Sequence, residues 1–165
     1  LKSEGLDALD VQAKAMLGGD IDSDVLKENA QSELDDFNDK PVKIGDSWEA
    51  ETTLDLGQGA RFELTSNQKY VGTVQQDGKT LHKVEIKYTE VDFGQPAAGP
   101  GAPAVTESDL EIIAGTSTLL FDAEKGRVVT SKFNLEVSGE ITLTIANMDL
   151  PANLALEITI NSTIK

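Results

Sequence analysis

Residues 129–145 read VTSKFNLEVSGEITLTI. The odd positions Val129, Phe133, Leu135, Val137, Ile141, Leu143 and Ile145 are apolar, while Thr130, Lys132, Asn134, Glu136, Glu140, Thr142 and Thr144 take the even ones. Successive side chains of a strand point to opposite faces, so this period-two pattern describes a sheet with one buried and one wet face, the antiparallel signature. Leu154, Leu156, Ile158 and Ile160 repeat it near the C-terminus. A run of this length exceeds an ordinary strand, and a bend or bulge is expected at Ser138-Gly139.

The same alternation extends backwards along the chain. Trp48, Ala50, Thr52, Leu54 and Leu56 define a first strand, and Gly57 with Gly59 the turn after it. The second strand carries Phe62, Leu64, Tyr70 and Val74 in one phase and turns polar at Ser66 and Gln68. Asp77-Gly78 is a strong two-residue hairpin signal. Beyond it His82, Val84, Ile86 and Tyr88 share a face. Residues 94–106, GQPAAGPGAPAVT, are rich in Pro, Gly and Ala and are expected to form a mobile hairpin tip. A fourth strand over residues 107–121 and a turn at Glu124-Lys125-Gly126 lead into the alternating run from Val129.

The first 40 residues differ in kind. Leu6, Leu9, Ala13, Met16 and Leu17 recur at helical spacing and end at Gly18-Gly19, predicting a helix over 4–17. A second is predicted over 23–37, with Val25 or Leu26, Ala30, Leu34 and Phe37 on one face and Asp22, Ser23 and Asp24 available as N-terminal caps or dipole partners. Helices this short are marginal alone in water, so their apolar stripes need a tertiary partner. The expected fold is therefore α+β. In it, two N-terminal helices pack on a curved antiparallel meander of about six long strands, an open half-barrel forming one domain over 1–165.

With 29 acids against 14 bases the net charge is -15, and the resulting field repels phosphate backbones, arguing against a nucleic-acid partner. The chain has no cysteine, which excludes disulfides, thiolate metal sites and cysteine nucleophiles. No apolar run reaches the length of a transmembrane helix. The chain starts at Leu1, and a signal segment is presumed removed.

Chemical motifs are sparse. Asp20, Asp22 and Asp24 have the spacing that begins a calcium loop, but Val25 stands where the loop needs Gly and Gln31 where it needs a bidentate Glu. Helix capping explains these aspartates more simply, and no metal site is expected. His82 is the single histidine and has no nucleophile motif to accompany it, so it reads as a half-exposed packing residue. Carboxylate pairs such as Glu49 with Glu51 lie on solvent-facing phases and read as solubility. No catalytic residue and no cofactor are expected. Trp48, Phe62, Tyr70, Tyr88 and Phe133 are either plain core or the lining of a ligand cavity between sheet and helices. Asn161-Ser162-Thr163 matches the glycosylation acceptor, a short pattern common by chance.

Two segments, KPVKIGDSW at residues 40–48 and LFDAEKGRVVTS at 120–131, resemble an uncharacterised family of bacterial, planctomycete-like envelope or secreted domains. In that family a P-V-K-x-G-D-x-W motif precedes a meander containing F-D-x-x-x-G-R-x-x-x-S. The resemblance covers residues 40–165. It implies an exported, sheet-rich domain and supplies no activity. The reading that results is a non-enzymatic exported module of the bacterial cell envelope, binding or structural, with an envelope protein or apolar ligand as partner. The alternative is a carrier of a lipid or other apolar small molecule.

Overall fold

The computed structural model describes residues 41–57, 59–97, 99 and 102–163. These form six strands: β1 (Ser47–Gly57), β2 (Ala60–Gln76), β3 (Lys79–Gly94), β4 (Ala104–Asp122), β5 (Arg127–Ile145) and β6 (Met148–Thr163). Their order in the sheet is their order in the chain, and every neighbouring pair is antiparallel. β1 pairs with β2 and β6 with β5, but the ladder does not join β1 to β6, so the sheet is open.

The α+β expectation is corrected on this point. Among the described residues the fold is all-β, a single sheet without a helix. The two predicted helices fall on residues 1–40, outside the described residues. Amphipathic spacing in that stretch does not change the class of the segment beyond Pro41, where period two takes over.

Hairpin chemistry sets the meander. Asp77 and Gly78 both take positive φ, 51° and 75°, the mirror-image turn that matches strand twist. Ala146 and Asn147 close the β5–β6 hairpin likewise at 50° and 64°. At the β4–β5 turn the Asp122 carboxylate accepts from the Glu124 and Lys125 amides at 3.1 and 3.2 Å.

One face of the sheet carries the core. One row runs straight across it in register, through Trp48, Gln68, Ile86, Ser117, Phe133 and Ile160. The next is paired in two parts, Ala50, Ser66 and Tyr88 over β1–β3 and Gly115, Leu135 and Ile158 over β4–β6. Phe62, Leu64, Leu119 and Leu135 are buried to within 2%. Ser66 and Gln68 are as deep, and the Ser66 hydroxyl donates to the Ala50 carbonyl at 3.2 Å.

Of the bend or bulge expected at Ser138-Gly139, the bulge is absent, because β5 runs through there with no register shift. The irregularities lie elsewhere. β4 carries the extra residues Thr106 and Ile113 against β5, β5 carries Val129 against β4, β3 carries Thr89 against β2, β2 carries Val71 against β3, and β1 carries Leu56 against β2. Gly139 serves a different purpose: a Cβ there would lie 2.0 Å from the Asp109 carbonyl oxygen, so glycine permits the β4 backbone to approach. The segment expected as a mobile tip begins in ladder, because Gln95 bridges Val105 and its carbonyl accepts the Val105 amide at 2.8 Å.

Candidate functional site: an opening between two strands

β3 and β4 are joined by six register pairs, from His82↔Phe121 to Lys87↔Thr116. The ladder then stops and does not resume until the Gln95↔Val105 bridge. Near the far end a side chain replaces ladder contact, with the Phe93 amide donating to the Ser108 hydroxyl at 2.9 Å. Between these closures the strands part around a cavity of about 780 Å³, lined by residues 87–91 of β3 and 110–116 of β4.

Two bulges coincide with the opening. Thr89 is the extra residue of β3, and its hydroxyl donates backwards to the Thr65 carbonyl at 3.2 Å. Ile113 is the extra residue of β4. A bulge bends its strand and increases local twist, and these two sit on facing strands where the pairing between them stops. The bulge also turns Ile113 outward, where it is 57% exposed despite being aliphatic.

The opening has two ends of different chemistry. On the core side Tyr88, Val91, Leu110 and Ile112 line it. The Tyr88 ring meets Phe133 edge-on at 5.4 Å across Gly115, whose missing side chain makes this possible, because a Cβ there would lie 3.0 Å from Tyr88 Cβ and 2.8 Å from Ile112 Cγ2. On the solvent side Lys87, Glu90 and Glu111 form the rim. Acids crowd the same face beyond it. Glu63 is paired with Asp92, Asp109 with Glu140, and Glu136 with Glu157, each a like-charged pair on adjacent strands. Such pairs oppose sheet formation, and their field disfavours an anionic ligand at this mouth.

The five sequence-predicted lining residues do not share one cavity. Tyr88 lines the opening. Phe133 lies against it from β5, Phe62 packs on Phe93 at 4.9 Å, and Trp48 is partly buried at the β1 edge. Tyr70 lies near the opposite end of β2, its hydroxyl 2.7 Å from His82 Nδ1 and the two rings 5.7 Å apart. His82 is half-buried, as its phase suggested. No group of three or more His, Asp or Glu positioned to hold a metal occurs among the described residues, and no described helix is long and apolar enough to cross a membrane.

Residues 110–113 and 89–91 escaped the sequence reading, although a signal was there. In β3 the apolar phase is even through Val84, Ile86 and Tyr88, then odd at Val91 and Phe93. In β4 it is even at Leu110 and Ile112, then odd at Gly115, Ser117 and Leu119. A phase switch inside a continuous strand marks one inserted residue, and two switches on adjacent strands mark a site where they part. No family model, no curated protein and no solved structure matches this chain.

Proposed function

We infer that the chain is a non-enzymatic binding module of the bacterial cell envelope, and that the opening between β3 and β4 is where it binds. The observation that supports this is the cavity itself. It is an open cleft with an apolar side, a polar mouth and strand closures at both ends, a shape that suits a small or partly inserted ligand. Export and the envelope location rest on the sequence resemblance of residues 40–48 and 120–131.

The rim refines the ligand class. An apolar body entering between Ile113 and Val91 meets Tyr88, while its exposed end lies among Glu90, Glu111 and the neighbouring acids, which outnumber the single rim cation Lys87. A neutral or cationic end fits this mouth better than a carboxylate or phosphate. The second reading, a carrier of a lipid or other apolar small molecule, draws on the same lining residues, with this opening in place of a space between helices and sheet.

The test is a calorimetric titration with three amphiphiles of equal chain length ending in an alcohol, an ammonium and a carboxylate. Saturable binding of the alcohol and ammonium forms at one site per chain, lost in Ile113→Gln, is the expected result. Binding that is unsaturable, or unchanged by Ile113→Gln, refutes the opening as the site. A lipid released from protein purified from its source would favour the carrier.

A further inference from the structure

Among the described residues the outer edge of β6 is unpaired, and its sequence is unlike the rest of the chain. Residues 150–163, LPANLALEITINST, contain one charged side chain, Glu157, in a protein whose residues are 26% charged. Natural sheets blunt exposed edges with charge, proline or shortness. β6 is 16 residues long, and its single proline is Pro151.

The β5–β6 turn shows which way each β6 residue points. A two-residue turn is closed by a hydrogen-bonded pair, here Ile145↔Met148, and the register then continues to Thr130↔Thr163 without a shift. The even residues of β6 therefore bond to β5, and the odd residues direct N–H and C=O to the free edge. Pro151 is odd, so the one residue without an N–H stands on the outward side. From Asn153 to Thr163 every outward residue has both groups. No pairing with this edge occurs among the described residues.

We propose that this edge pairs with the same edge of a second copy, joining two open sheets about a two-fold axis at Ile158. In this register Asn153 faces the partner's Thr163, Ala155 the partner's Asn161 and Glu157 the partner's Thr159. Each is an outward-to-outward pair, as antiparallel bonding requires. No like charges stand directly opposite, and the two Glu157 carboxylates, diagonal across the axis, are the one like-charged contact that salt would screen. On the core face Ile158 meets its own counterpart, extending the apolar rows from one sheet to the next. Pro151 ends the zipper, which limits slippage into other registers. The β1 edge is the poorer partner, because Glu49, Glu51 and Asp55 on it add charge to a chain already at -15. Edge pairing is independent of ligand binding at the β3–β4 opening.

Sedimentation equilibrium on the full chain tests it, with salt varied to screen the net charge. The expected result is a dimer whose dissociation constant falls as salt is added. Thr159→Glu sets a carboxylate against the partner's Glu157 twice by symmetry and weakens the dimer by about tenfold or more. Adding Glu157→Lys to it restores association. Ala155→Pro removes an outward donor without touching the β5 ladder and also yields monomer, while thermal melts confirm that each variant stays folded. A wild-type monomer at every concentration and salt overturns the proposal. So does a dimer indifferent to Thr159→Glu and Ala155→Pro, or open-ended polymers in place of a closed dimer.

Discussion

Replacing Gly139 with alanine places a methyl carbon 2.0 Å from the Asp109 carbonyl oxygen, 2.9 Å from Leu110 Cα and 3.0 Å from the Asp109 carbonyl carbon. All three are backbone atoms, so no rotamer change relieves the contact. Ordinary non-bonded contacts are roughly 3.5 Å, so β4 must retreat from β5 by roughly 1.5 Å at this point. Overpacking of this kind costs about 1–3 kcal/mol, and loss of one ladder hydrogen bond adds about 1 kcal/mol. The total of about 2–4 kcal/mol corresponds to a fall in melting midpoint of about 10 °C for a domain of this size. Circular dichroism melts of Gly139→Ala and Gly94→Ala make the comparison. Gly94 has nothing within 4 Å of its added carbon and no positive φ, so its variant gives the baseline against which the contact and the φ of +157° at Gly139 act together. A Gly139→Ala midpoint within about 2 °C of the Gly94→Ala midpoint would refute the close approach of β4 and β5.

Four further substitutions probe other parts of the sheet. Gly115→Ala wedges a methyl between Tyr88 and Ile112 and should lower stability by about 1–3 kcal/mol in a urea titration while reducing ligand uptake at the opening. Tyr70→Phe removes the 2.7 Å bond to His82 and should cost about 0.5–1.5 kcal/mol by the same titration. Asp109→Asn relieves its opposition to Glu140, so the melting midpoint should rise at low ionic strength and the gain should fade as salt is added. Phe62→Ala empties a fully buried site against Phe93 and should cost about 3–5 kcal/mol, by far the largest loss among single aromatic truncations at the sheet's β1 side.

The strands were legible because period two is a local property. Trp48 to Leu56 alternate as β1 does, Asp77-Gly78 marks the β2–β3 turn, and the odd phase of residues 133–145 is the core face of β5. The succession of strands also implied their neighbours, since short turns favour adjacent pairing. The opening between β3 and β4 was harder to see, because it results from two inserted residues whose effects combine only when the strands face each other. The Pro- and Gly-rich composition of residues 94–106 masked Gln95 and Val105, which bridge. At Gly139 the sequence marks the position but not its role. A lone glycine in a strand signals either a bulge or a close approach, and only the partner's backbone decides between them.

The short ladder between β3 and β4 also bears on how the domain would respond to force. β1 begins and β6 ends at the same end of the sheet but on opposite edges, since the sheet has an even number of antiparallel strands. Tension applied through Ser47 and Thr163 therefore pulls across the strands and loads their hydrogen bonds in sequence, as in a zipper, instead of shearing them together. Six register pairs and a bridge hold the middle seam, whereas the β4–β5 ladder runs from Ala104↔Thr144 to Asp122↔Arg127. The pulled residues lie in the rows where β3 and β4 are paired, Glu85↔Thr118 and Lys83↔Leu120, so the opening is at the unloaded end. Once a crack has passed those six pairs little ladder remains to stop it at the middle seam, and a ligand bridging the opening would serve as a mechanical latch there.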